Sequence, residues 1–196
     1  MNLPPNAAAS TQADAELFHD AITCDLPLPA EFQAGSVSPR PGLAESTLRS
    51  IAQIEDLRSD DLREERSEQP LQVQRVEAKL DLLLVMVGRL ARKSEGSLPL
   101  RPVRWSRRGI RLETGARSGA FAGAAGLVRL QPCDWLPEHI ELPVILLTES
   151  ETGTGSFFLW LRFAALAPGL EEVLERHLFR LHRRQVADAR RREPAR

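Results

Sequence analysis

Apolar positions change their spacing several times along this chain, and each change marks a boundary. From Glu45 no proline occurs until Pro70, and Leu48, Ile51, Ile54, Leu57 and Leu62 recur at roughly helical intervals among charges, with Ser46 or Thr47 available as an N-cap. The pattern predicts an amphipathic helix that Pro70 stops or kinks. Beyond it Val73, Val76, Leu80, Leu83, Val87 and Leu90 follow at intervals of 3, 4, 3, 4 and 3 residues, a heptad seam. Leu84 and Met86 widen that stripe past what a two-stranded coiled coil needs, so an assembly of more than two helices is expected. The competing reading is a helix that packs on its own domain, but a seam this long outsizes the surface of a domain of about 100 residues.

Gly96, Pro99 and Pro102 close the helical region, and short apolar or alternating runs broken by glycine and proline follow. Strands are expected at Ile110–Glu113, Gly126–Leu130, Ile140–Thr148 and Phe157–Ala164. Several short strands without helices between them imply a small antiparallel barrel. After Pro168 and Gly169, the positions Leu170, Val173, Leu174, His177, Leu178 and Leu181 predict a last helix, with Glu171, Glu172 and Glu175 at its positive end and arginines toward its negative end. Ahead of all this, residues 1–42 carry Pro4, Pro5, Pro27, Pro29, Pro39 and Pro41 and read as a flexible arm, although Leu17, Phe18 and Ile22 could dock as a turn or two. The expected architecture is therefore α+β: an arm over 1–42, an oligomerising helical segment over 43–95 and a β-barrel with a C-terminal helix over 96–196.

Composition narrows the function classes. Hydrophobic residues at 42% and charged residues at 27% suit a globular protein rather than a disordered one. A formal net charge of −1 supplies no global field for a polyanion. The arginines between Arg176 and Arg196 leave a nucleic-acid-binding tail as an alternative, against the commoner reading of a solvated helix end. Cys24 and Cys133 are too few and too far apart for a disulfide framework, which fits a reducing cytoplasm. The N-terminus lacks the basic start and apolar run of a signal peptide, and Leu80–Leu90 is about half the ~20 residues a membrane span requires.

Catalytic chemistry finds little support. His19, His139, His177 and His182 form no metal-binding motif, and a separation of five turns His177 and His182 to different helix faces. The glycines of GARSGAFAGAAG lack the strand-to-helix setting of a phosphate loop. Cys133 has no histidine placed near it in sequence to activate it. No enzyme, metal or resident cofactor is expected.

Four segments in order, PVRWSRRGIRLETG, IELPVILLTES, FFLWLRFAAL and LEEVLERHLFRLHRR, resemble the PilZ family over about residues 99–192. PilZ domains are bacterial barrels that commonly receive cyclic di-GMP, with a D/N-x-S-x-x-G signature near the first strand, a late strand ending in Phe and a terminal helix. Ser106 and Gly109 match the signature, Phe163 the late strand and residues 170–185 the helix, while Arg104 stands at the Asp/Asn position and no R-x-x-x-R pair precedes it. Arg101, Arg104, Arg107, Arg108 and Arg111 supply charge at other spacings, so Arg101, Arg104, Ser106, Arg107, Arg108 and Gly109 are the candidate nucleotide-binding residues. Loss of the usual arginine pair removes charge-assisted hydrogen bonds of about 1.5–3 kcal/mol each. The resemblance, to an atypical subgroup with heptad-bearing helices, implies a non-enzymatic oligomer, a tetramer being favoured. It implies assembly through Val73, Val76, Leu80, Leu83, Leu84, Val87 and Leu90, and contacts with a signalling or pilus-related protein in pathways tied to motility and virulence. A true cyclic di-GMP receptor with a rewired arginine site is the alternative.

Overall fold

The computed structural model describes residues 5–35, 41–64, 80, 98–133, 135–136 and 138–192. The elements described in full follow as α1 (Pro5–Phe18), β1 (Cys24–Ala34), α2 (Pro41–Glu64), β2 (Leu100–Trp105), β3 (Gly109–Thr114), β4 (Ala125–Leu130), β5 (Ile140–Glu151), β6 (Phe157–Phe163) and α3 (Pro168–Arg192). The strands close into one antiparallel barrel in the order β1-β2-β3-β6-β5-β4. Inward positions on β5 show the half-buried alternation of such a wall: Ile140, Leu142, Val144 and Leu146 are buried, and their neighbours are less so. The register between β5 and β6 then slips between Leu146 and Thr148. Leu147 is the extra residue of that bulge, turned out of the alternation.

Within the stretch 1–42, expected to be an arm, residues 5–34 are structured. They supply α1 and β1, and β1 closes the barrel by pairing with β2 through Cys24–Pro29 and with β4 through Ala30–Ala34. Proline argues against a strand that must donate hydrogen bonds on both sides. Here each half of β1 has a different single partner, and Pro27 faces Pro102 across the β1–β2 ladder, where neither residue has an N–H to give. The barrel's first strand thus starts at Cys24, ahead of residue 96, and α2 falls between its first two strands in the sequence.

α2 begins at Pro41, where a fixed φ and a missing donor cost nothing in the first helical turn. Ser46 lies inside it and donates to the Leu43 carbonyl oxygen at 2.9 Å, so it is no N-cap. The face that packs is Ala44, Leu48, Ile51 and Glu55, while Ile54 is 37% exposed. Together with Leu170, Val173, Leu174 and Leu178 of α3, the apolar residues of that face join the barrel interior in one core. α1 stands apart from it, on a second cluster of Ala13, Leu17, Phe18 and Trp160 flanked by Leu147 and Phe158. Of the heptad positions, Leu80 is helical and 53% exposed; Val73, Val76, Leu83, Leu84, Val87 and Leu90 lie outside the described residues.

Candidate functional site

Strand register brings three long side chains into a row on the outside of the barrel. Arg104 on β2 faces Arg111 on β3, and Arg111 faces Trp160 on β6. Two like charges opposed across a ladder repel each other. α1 lies over the row and lowers Asp14 into it. The indole N–H of Trp160 donates to Asp14 Oδ1 at 2.6 Å, Arg111 Nη1 donates to the same oxygen at 3.2 Å, and Arg104 Nη1 is 4.0 Å from Oδ2. Aromatic rings hold both guanidinium groups, with Arg104 4.8 Å from the Phe18 ring centre and Arg111 4.9 Å from that of Phe158.

The β2–β3 turn grips the end of the same helix. Ser106 is fully buried, donates its hydroxyl to the Leu17 carbonyl oxygen at 2.7 Å and accepts the Arg108 N–H at 3.1 Å. Arg108 Nη1 donates to the carbonyl oxygens of Glu16 at 3.2 Å and His19 at 2.9 Å. Carbonyls in the last helical turn have no partner within the helix, and the turn supplies them. Asp20, at φ 52°, is the left-handed residue that ends α1. Gly109 is required where β6 and α1 converge, because a Cβ there would collide with the Leu161 carbonyl oxygen and crowd the Leu17 side chain.

Beside the turn opens a cavity of about 560 Å³ lined by Arg107, Arg108 and Arg162 and by Glu16, Glu171 and Glu175. Its charges are compensated internally: Arg107 pairs with Glu175 at 3.5 Å and Arg162 with Glu16 at 3.3 Å. A phosphate entering it would meet three carboxylates as well as three guanidinium groups. Asp25, Pro27, Pro102, Arg104, Arg111 and Phe158 line a smaller groove of about 300 Å³, in which Asp25 lies 3.9 Å from Arg104.

The seam between α2, α3 and the barrel holds buried polar groups of another kind. His177 lies 5.8 Å from the Trp105 ring and its Nε2 is 3.2 Å from the Pro132 carbonyl oxygen. Burial lowers the pKa of this imidazole, opposed by the negative charge of Glu55. Arg184 lies 2.6 Å from Glu55, and Arg180 donates to both carboxylate oxygens of Asp56 at 2.8 Å. Burial and the adjacent Asp25 push the Cys24 thiol up to about 11, which makes it a poor nucleophile at neutral pH. Among the described residues no group of three or more His, Cys, Asp or Glu could hold a metal ion, and no helix is long and apolar enough to cross a membrane.

The structure therefore splits the six candidate residues. Arg104 belongs to the outer row; Ser106, Arg108 and Gly109 build the turn that docks α1; Arg107 lines the larger cavity. Arg101, three residues before Arg104, falls on the opposite pleat face with Val103 and Trp105 and joins none of these groups. Trp160, read from the sequence as a core or barrel-rim residue, completes the site together with Asp14 and Arg162, which were not singled out because only the register and α1 bring them to the turn.

Compared with protein families, residues 48–191 match the model described as atypical PilZ domain, cyclic di-GMP receptor. The chain belongs to the atypical PilZ family. A tetrameric PilZ domain from Xanthomonas campestris, described as a pathogenic protein self-assembled via an unusual helical bundle, is 51% identical to this PilZ chain. The likeness covers 94% of this chain and 99% of that one, with a TM-score of 0.75. Bacillus subtilis inhibitor of motility (MotI/DgrA) shares 15% identity over 48% of this chain and 44% of its own, with a TM-score of 0.38. The PilZ domain of Escherichia coli YcgR with c-di-GMP shares 19% over 49% and 81%, also with a TM-score of 0.38. No curated protein matches.

Proposed function

We propose that this protein is a non-enzymatic, oligomeric regulator in bacterial cyclic di-GMP signalling that works by presenting its barrels to another protein, with nucleotide binding weak or absent. The observation that carries this reading is the engagement of the signature turn: the Ser106 hydroxyl and the Arg108 guanidinium are both spent on carbonyls of α1, and Arg107 on Glu175. Tetrameric assembly of the Xanthomonas relative favours the same role for the heptad span Val73–Leu90. The partner on this reading is a cytoplasmic signalling or pilus-related protein. A second reading has an observation of its own. Arg107, Arg108 and Arg162 share one cavity, as a receptor with a rewired site would require.

Calorimetric titration of the full-length protein with cyclic di-GMP to roughly 100 µM, with light scattering on the same sample, separates the two. The proposed outcome is an oligomer that gives no saturable heat. Saturable heat that disappears in Arg107→Gln establishes the receptor instead.

A further inference from the structure

We propose that the barrel face formed by Arg104, Arg111, Trp160 and Phe158 is a docking surface for an acidic amphipathic helix of a partner protein, and that α1 is this chain's own occupant of it. The proposal rests on the adaptor reading above and gives it a surface and a ligand chemistry. Arg104 and Arg111 oppose each other across a ladder, so an anion beside them relieves their repulsion; Asp25 of β1 lies 3.9 Å from Arg104, but the carboxylate that reaches both arginines, Asp14, comes from α1. The indole N–H of Trp160 points at the same oxygen as Arg111, so the row is a carboxylate seat with two hydrogen-bond donors and, in Arg104, a third positive group 4.0 Å from the other oxygen.

The occupant also supplies a pattern. Relative to Asp14, apolar groups stand at −1, +3 and +4 as Ala13, Leu17 and Phe18, and they fill the patch made by Trp160, Phe158 and the bulged Leu147. An acid with apolar residues three and four positions later is how a helix is read in a groove. A nucleotide would satisfy the arginines, but the patch selects branched and aromatic side chains at helical spacing.

α1 can leave without opening the barrel. Its apolar contacts form a cluster distinct from the main core, and it belongs to none of the strand ladders. Segments with few core contacts open at lower free energy than the body of a domain. The adjoining groove, lined by Pro27, Pro102, the same two arginines and the single acid Asp25, gives an incoming helix a foothold while α1 is still seated. As long as α1 sits in place, a partner's apparent affinity is reduced by the small fraction of molecules in which the face is bare.

The probe for the test is a fluorescein-labelled peptide of residues 5–20, PNAAASTQADAELFHD, followed by anisotropy. It is titrated into the full-length wild type and into full-length protein carrying Asp14→Lys and Leu17→Asp, changes that unseat α1 and leave barrel side chains intact. The variant is expected to bind the peptide saturably and at least ~10-fold more tightly than wild type, because the tethered competitor is gone. Adding Arg104→Gln and Arg111→Gln should abolish the binding. No binding by a variant whose circular dichroism retains the barrel overturns the proposal, as does displacement of the peptide by stoichiometric cyclic di-GMP, which would assign the face to the nucleotide. Hydrogen exchange of the wild type tests the same point without a variant. α1 amides should exchange at least ~10-fold faster than those of β3 and β6, and equal protection would make α1 a fixed part of the fold. Failure of the peptide alone leaves the adaptor reading standing with a different surface, whereas calorimetric heat with the nucleotide removes that reading itself.

Discussion

α3 and α1 both cover this barrel, yet α3 sends Leu170, Val173, Leu174 and Leu178 into the main core, whereas α1 sets Leu17 and Phe18 on a small cluster around Trp160. α3 also shares that core with α2, so three elements lose contacts if it moves. α1 is held at its last turn by the buried Ser106 and the exposed Arg108 and along its side by the part-exposed Asp14 and Glu16, so all but the first of these contacts lie within reach of water. The contrast teaches that burial alone does not make a helix integral. Leu17 and Leu174 are both almost completely inaccessible, but the first belongs to a patch and the second to the core.

The largest expected effect tests that distinction directly. Leu174→Ala should lower global stability by about 2–5 kcal/mol in chemical denaturation, because the cavity forms where barrel, α2 and α3 meet. Leu17→Ala should cost less, since release of α1 alone sets a ceiling on what the barrel can lose. Equal losses for the two would break the comparison. Gly109→Ala should fall between them at about 1–3 kcal/mol, the usual cost of overpacking, and should perturb both the β6 backbone and α1 in amide chemical shifts.

The smallest effect sharpens the comparison by pH. His177 faces Glu55 from α2, Arg180 and Arg184 from its own helix, and the Trp105 ring and Pro132 carbonyl from the barrel. Its folded pKa lies below the ordinary 6.5, so the unfolded chain takes up a proton first as the solution is acidified. The contribution is complete above pH 6.5 and is lost as pH falls through the depressed folded value. Thermal melts should therefore drop between pH 7 and about 5.5, and the drop should be shallower in His177→Gln. Exchange of α1 amides, corrected for intrinsic pH dependence, should not follow it.

Much of the wall of the barrel was legible because it obeys simple periodicity. Ile140 to Leu146 alternates, Phe157 to Phe163 is bounded by turn residues, and the glycines near 115–126 mark the loop between β3 and β4. β1 and β2 were hidden by Pro27, Pro29 and Pro102, which read as breakers when each strand is taken alone and make sense only in a one-sided ladder, where Pro27 faces Pro102 and Pro29 faces Leu100. α1 showed only a short apolar patch, of which Leu17 and Phe18 dock while Ile22 stays 39% exposed. The arginines around the turn were visible as charges. Their sorting into a row, a turn and a cavity depended on Asp14, Glu16 and Trp160, which reach them from 49 or more residues away and leave no local trace.

The position of β1 has a consequence for how the chain is made. It leaves the ribosome before β2 and β4 exist, and all the sequence from Ala34 to Leu100 must follow before its ladders can close. Until then it is a strand in search of an edge, the condition in which nascent chains capture the wrong neighbour. Pro27 and Pro29 withhold two backbone donors from any such neighbour while costing nothing in the finished barrel. The residues that disguise this strand also guard it, a safeguard for any chain that must fold within reach of its own copies.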